Sequence, residues 1–311
     1  MLHSMKKLTV AILVVLLLVF AIIYFLIPPQ FTVSNTILLK ANPNSIYRCL
    51  SNEAKWEKIL EEEGSADNPK QKIKIGKKLM GSMEVQIKDK GSSFPGLIEI
   101  LALKNDSAAI KWTLNVERGP GLFKRIQNYF IAKKLKNSTA GILGNVKKFL
   151  EKTENIYDIQ VQMVSIKDTL LVAIKTTSKN YPGLQEVYGR IDKLQNYATA
   201  NGAVQTGYPM LSVRTGDSIN FEIITGLPIS KDLKGSGIIL HKEMPSTGRM
   251  LATNEIKGGP YTIKKAFNNL EDFFEDHKFI SPAVPFESLI TNRMQEKDTS
   301  KWVTKIYYPV Y

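Results

Sequence analysis

The apolar positions of this chain change pattern sharply at Pro28. Before it, LTVAILVVLLLVFAIIYFLI (Leu8–Ile27) runs for 20 residues without a charge, long enough as a helix to cross about 30 Å of hydrocarbon. At roughly 0.3–0.6 kcal/mol for each strongly apolar residue, the run favours a bilayer by roughly 5–10 kcal/mol. A cleaved signal peptide has a shorter core, about 7–15 residues, ending in a small-residue cleavage site. Here the run meets Tyr24, Phe25 and Pro28-Pro29-Gln30 instead, so a retained transmembrane helix over 8–27 is expected. Lys6 and Lys7 precede it and the next charge is Lys40. That asymmetry predicts a cytoplasmic N-terminus, with the remaining chain on the outer, extracytoplasmic side.

After the prolines the pattern alternates. Phe31, Val33, Ile37 and Leu39 suggest a strand. Asn42-Pro43-Asn44-Ser45 reads as a turn and helix cap, opening an amphipathic helix through Ile46, Tyr47, Leu50 and Trp56. Beyond a polar stretch at 64–69, period-two segments follow at Met83-Val85-Ile87, Leu97 to Leu103 and Ala109 to Val116. Gly119-Pro120-Gly121 ends them, and Leu122, Ile126, Tyr129 and Phe130 begin a long helix running on to Glu151. Strand, short helix, antiparallel meander and closing helix define an α+β sheet wrapped around a helix.

From Ile156 the order differs. Strands at Ile159–Val164 and Leu170–Lys175, a helix at Leu184–Ala200, and strands near Tyr208–Val213 and Ile219–Ile224 form one unit. A strand at Arg249–Ile256, a helix from Pro260 to His277, and strands at Phe286–Ile290 and Trp302–Tyr308 largely repeat it. Such a duplication leaves a central cleft where the two halves meet, and repeat interfaces are favoured ligand sites. The expected organisation is a stub and anchor at 1–30, a first domain at 31–154 and a second at 155–311.

The apolar fraction of 43% is that of a globular protein. A net charge of +13 attracts anionic surfaces without specifying a fold. Lys124, Arg125, Lys133, Lys134 and Lys136 gather on the long helix, as a solvated face or a lipid-contacting one. No helix-turn-helix, zinc finger or RNP motif accompanies the charge, so a nucleic-acid partner is not expected. Cys49 is the single cysteine, and His3, His241 and His277 have no ligand spacing; no disulfide, metal site or cofactor is expected. P-loop, dinucleotide-binding and triad patterns are absent.

Two resemblances add to this reading. ILLKANPNSIYRCLSNEAKWEKI near the start and GNVKKFLEK near Lys152 are similar to the START-like superfamily, also called SRPBCC or polyketide cyclase-like domains. The similarity covers about 120 residues. It implies a helix-grip fold with an apolar cavity between the sheet and the last helix. The C-terminal half resembles GyrI-like, or AraC effector-binding, domains over about 155 residues. The matching elements are INFEIITGLPI, Gly259-Pro260-Tyr261, Pro285-Phe286-Glu287 and the closing Thr304-Lys305-Ile306-Tyr307-Tyr308-Pro309-Val310.

That second resemblance implies a pocket for small aromatic or cationic molecules, with Glu287 as the pocket acid. A desolvated carboxylate is costly unless a cation or hydrogen bonds compensate it, and relieving that cost would select positively charged guests. Tyr261 would offer a hydroxyl or an aromatic face, and Tyr208 and Trp302 wall positions. Leu289 stands where the family often has tyrosine, which narrows the implied ligand range. The expected function is a membrane-anchored small-molecule sensor or sequestering protein for hydrophobic, aromatic or cationic ligands. The alternatives are a GyrI-like hydrolase using Glu287 and Tyr261 as acid–base partners, and a scaffold with vestigial pockets.

Overall fold

The computed structural model describes residues 2–28, 30–61, 72–89, 91–104, 106–116, 121–165, 169–215, 220–244 and 249–311, and the side chains of these except 2–11, 23, 89 and 122. The polar stretch at 64–69, Gly119-Pro120 and Ile219 lie outside the described residues. The chain divides into two compact units, 1–152 and 153–311. It is a mixed α+β protein whose strand pairings are all antiparallel among the described residues.

The first unit opens with helix α1 (Leu2–Leu26). Among the described residues no helix is long and apolar enough to cross a membrane. The expected span over 8–27 lies partly outside them, because the side chains of 2–11 and 23 are not among those described. Strand β1 (Phe31–Leu39) follows, then α2 (Pro43–Leu50) and α3 (Glu53–Glu61). Asn42 caps α2 by accepting from the Asn44 N–H at 2.9 Å, with Pro43 in the first turn. The single helix expected through Trp56 is two, because the chain turns at Ser51-Asn52 and Asn52 accepts from the Ala54 N–H at 3.0 Å.

Strands β2 (Lys72–Leu79), β3 (Ser82–Asp89), β4 (Ser92–Ala102) and β5 (Ala108–Val116) complete a sheet of order β1-β5-β4-β3-β2. Helix α4 (Leu122–Leu150) closes it, and the Asn35 amide of β1 donates to Lys136 O and Thr139 Oγ1 on α4. The sheet face toward α4 is lined by buried apolar side chains. Trp56, Trp112, Ile46, Leu50, Ile59, Met83, Ile98, Ile110 and Leu143 are each less than 2% exposed, and the two indoles meet at 5.9 Å. Gly96 of β4 permits this density, since a Cβ there would lie 2.6 Å from Thr113 O and 3.3 Å from Trp112 Nε1. A groove of about 480 Å³ does exist in this unit, but on the outer face of the sheet, among Glu84, Gln86, Leu97, Glu99, Lys111 and Thr113.

The second unit begins with α5 (Thr153–Tyr157) and contains β6 (Val161–Ser165), β7 (Leu170–Ser178), α6 (Leu184–Ala200), β8 (Met210–Thr215) and β9 (Phe221–Pro228). The series recurs as β10 (Ile239–Glu243), β11 (Arg249–Thr253), the short β12 (Ile256–Lys257), α7 (Pro260–Asp276), β13 (Phe286–Leu289) and β14 (Val303–Pro309). The sheet order is β10-β7-β9-β8-β13-β14-β11-β6, with β12 on β14. Read outward from the β8–β13 junction, both halves run in the same sense, so the duplication is real at the level of topology. The leading strands are exchanged, however: β6 pairs with β11 and β10 pairs with β7. Each half therefore ends on a strand from the other.

The two helices cover one sheet face. Leu194 and Ala198 of α6 pack on Val172, Ile174 and Leu227, while Ala266 and Leu270 of α7 pack on Leu251 and Ile306. Helix α7 starts where the sequence places it, with Gly259 as cap and Pro260 in the first turn. Gly258 before it has φ 142°, and a Cβ would meet the Thr262 side chain at 2.7 Å; only glycine fits.

Candidate functional site

Strand β13 crosses the centre of the nine-stranded sheet, and its alternation sends its residues to two different environments. Leu289 packs with Val187, Tyr188 and Ile191 of α6, so Glu287, two residues earlier, faces the same helix-covered side. Phe286 and Ser288 face the opposite side.

On the helix side, Glu287 pairs across the strands with Leu211 of β8 and Ile306 of β14. Its carboxylate is 8% exposed and accepts from Arg293 Nη2 at 2.8 Å. The same nitrogen donates to Thr304 Oγ1 at 2.8 Å, and the guanidinium carbon lies 5.1 Å from the Trp302 ring centre. The Arg293 backbone N–H donates to the Tyr188 hydroxyl at 2.8 Å, which donates to the Thr291 carbonyl at 3.2 Å. Trp302 is fixed in turn by its Nε1, donating to Glu296 O at 2.9 Å, and by its carbonyl, which accepts from the Gly258 N–H at 2.9 Å.

The counter-charge that the sequence left for a guest is thus supplied by the chain. An isolated buried carboxylate is penalised by several kcal/mol, and a cation at hydrogen-bonding distance offsets much of that. Among the described residues the pairing is incomplete on one side, because Arg293 Nε is buried without a hydrogen-bond partner. Two phenols report the same environment. Burial raises the Tyr188 pKa above 10.0, with Arg293 acting downward and Glu287 slightly upward. Tyr181 is 59% exposed overall, yet desolvation, and after it the Glu287 charge, also raises its pKa above 10.0.

The opposite face carries an open groove of about 300 Å³. Phe286 and Tyr307 are stacked across β13 and β14 with centres 5.3 Å apart and planes at 17°. Together with Tyr208, Met210 and Val164 they form its apolar wall, and Gln162, Ser288 and Lys305 supply polar groups. Burial raises the Tyr307 pKa above 10.0, so its hydroxyl stays protonated at neutral pH. Lys305 is 32% exposed in its side chain and stands 4.0 Å from Glu255.

The four residues marked in the sequence are therefore divided. Glu287 and Trp302 are joined through Arg293 on the helix side, while Tyr208, 52% exposed, lines the groove on the other. Tyr261 sits in the first turn of α7, 83% exposed, and its hydroxyl is outside the hydrogen-bond network of Glu287. Arg293, Tyr188, Phe286, Tyr307 and Lys305 were not singled out by sequence. A buried acid demands a partner, but nothing local marks Arg293 among so many basic residues. Phe286 and Tyr307 sit inside the quoted motifs and were legible as an alternate-face pair. Among the described residues no group of three His, Cys, Asp or Glu is placed to hold a metal ion.

No protein-family model and no curated protein matches this chain. Similar solved structures include the EcmrR C-terminal domain, at 18% identity over 49% of this chain and 98% of that one, with a TM-score of 0.39. EcmrR in a complex with DNA matches at 18% identity over 61% and 71%, TM-score 0.43. A truncated norcoclaurine synthase from Thalictrum flavum matches at 14% over 38% and 92%, TM-score 0.30.

Proposed function

We propose that this chain is a membrane-tethered protein that binds small planar, apolar molecules in the groove beside Tyr208. The observation that carries the reading is the groove itself: about 300 Å³, walled by the stacked Phe286–Tyr307 pair and Tyr208, with a few convergent polar groups. Small-molecule sites have this size and this mixture of aromatic wall and sparse polar anchors. Lys305 is the charge at its edge, which favours neutral or anionic guests over cations. The cation preference implied by Glu287 is weakened because Arg293 already neutralises that carboxylate. Hydrolysis by Glu287 and Tyr261 has no geometric support, since the two do not share a hydrogen bond.

The tether rests on α1. Its large apolar side chains from Ile12 to Leu26, Ile23 excepted, are 43–84% exposed on every side of the helix, and a helix apolar all round belongs in a core or a bilayer. Lys6 and Lys7 favour the N-terminus inside and the chain after α1 outside. The positive charge is accordingly assigned to the membrane side and not to nucleic acid.

The test is a thermal-shift screen of neutral, anionic and cationic aromatic compounds against the full chain in lipid nanodiscs. Binding in the groove is expected to weaken about 2- to 10-fold in Tyr208→Ala, the range of one aromatic contact, and to vanish in Ser288→Phe. Binding lost in Glu287→Gln but unchanged in both groove variants would move the ligand to the helix side and overturn the assignment.

A further inference from the structure

Helix α4 has two apolar faces, and one of them is uncovered among the described residues. The buried stripe Asn128, Ala132, Leu135, Thr139, Ile142, Val146 and Phe149 recurs at three- and four-residue spacing and faces the sheet. At 3.6 residues per turn, Phe123 and Phe130 lie about 200° round from that stripe and nearly in line with each other. They are 81% and 62% exposed, with Tyr129 beside them at 46%. Lys133 and Lys134 flank the same face one turn further on.

The position of this face is fixed by Arg125. Its Nη1 donates to the carbonyls of Tyr24 at 2.7 Å and Ile27 at 3.2 Å, and its guanidinium stacks on the Tyr24 ring at 3.9 Å. The last carbonyls of a helix have no partners within it and carry the negative end of its dipole. One arginine therefore caps the end of α1 and fastens the first turns of α4 beside it. Phe25, 84% exposed, and Leu26, 75% exposed, stand at the same level.

We propose that the N-terminal part of α4 is a membrane-interface element: Phe123 and Phe130 enter the headgroup–acyl boundary, and Lys133 contacts anionic lipid. The proposal rests on α1 being the tether. Given that, the end of α1 marks the bilayer surface, and Arg125 holds these side chains at that depth. Exposed aromatics flanked by lysines are the composition of helices that lie in the interface. The consequence is a chain held flat at two points of one unit, instead of swinging on a single helix.

Cys49 is buried and is the only cysteine, so single spin labels can be placed cleanly. Labels at Leu18→Cys, Phe123→Cys, Phe130→Cys and Lys148→Cys would be read in the full chain in nanodiscs, by relative accessibility to oxygen and to a water-soluble nickel chelate. The expected result is a deep signal at 18, an interfacial signal at 123 and 130, and an aqueous one at 148. Replacing anionic by zwitterionic lipid should shift 123 and 130 toward water, by about 5-fold in docked population for each lysine in contact. A deep signal at 18 with aqueous signals at 123 and 130 would overturn the docking and leave the tether intact. An aqueous signal at 18 would overturn the tether and the docking together. Dipolar broadening between labels at 123 on two copies would assign the face to a dimer and overturn lipid docking.

Discussion

Trp112 in the five-stranded sheet and Glu287 in the nine-stranded sheet occupy comparable places. Each lies on an interior strand, is almost fully buried, and faces helices across its sheet. Around Trp112 the chain has placed Trp56, Ile98, Ile110, Leu114 and Met83, all buried. Around Glu287 it has placed Arg293, Thr304, Tyr188 and Trp302, a polar network held by hydrogen bonds. The first arrangement draws on non-directional burial and tolerates no added volume. The second depends on a matched pair of charges and tolerates no missing partner. The duplicated sheet carries, on the face opposite Glu287, an exposed groove walled by aromatic side chains.

The largest expected effect tests the charged side of that contrast. Arg293→Met leaves Glu287 buried without its cation and should destabilise the second unit by about 3–5 kcal/mol. Adding Glu287→Leu removes the orphaned charge and should restore most of the loss. Urea denaturation of the detergent-solubilised chain, with amide exchange at β13 to assign the transition, measures both. Equal losses in the single and double variants would show that the pair contributes shape and not charge compensation.

A smaller loss is expected on the apolar side. Gly96→Ala places a methyl against Thr113 O and the Leu114 side chain, and overpacking of this kind costs about 1–3 kcal/mol. Amide exchange should accelerate in β4 and β5 and stay unchanged in β13. No change in β4 would mean that the two strands can part without cost, and the interior is looser than its burial implies.

The smallest effect is a pH dependence confined to the second unit. Tyr188 and Tyr307 have pKa values raised above 10.0, chiefly by burial. A raised pKa means that the folded state holds the proton more tightly than the unfolded chain does. Their contribution is therefore fully present below pH 10.0, and it is lost as pH rises through the folded-state values. The unfolding midpoint should be flat with respect to these groups up to pH 10.0 and fall above it, with a shallower fall in Tyr188→Phe. A fall that is equally steep in that variant would place the alkaline sensitivity elsewhere.

Much of this architecture was visible in the residues. Helix α6 spans Leu184–Ala200 as its apolar spacing predicts, and α7 begins at Pro260 behind its glycine cap. The strands at Leu170, Arg249, Phe286 and Trp302 lie within a few residues of their expected positions. Strand β2 is not legible in the sequence because KIKIGKKL offers few apolar residues, and six of its eight positions are exposed. Strand β10 is not legible for a similar reason, and without it the exchange of leading strands could not be anticipated. The sequence places Glu287, Trp302, Tyr208 and Tyr261 in one pocket, whereas the structure puts Glu287 and Trp302 on the helix side, Tyr208 in the groove and Tyr261 in the first turn of α7. Alternation along β13 was enough to separate Phe286 from Glu287; the sheet order was needed to know what stands on either side.

What the sequence determined alone is local: an uncharged apolar run at the start, the caps and periods of the helices, and the alternation of strands. Each depends on residues a few positions apart, so it is written where it acts. What the tertiary structure decided is compensation. The backbone of Arg293, whose side chain reaches Glu287, is held by Tyr188, 105 residues away, which accepts its N–H. Arg125 caps α1 from 98 and 101 residues away. Buried charges and helix ends must find partners, but which partner they find is settled by the fold that brings distant segments together.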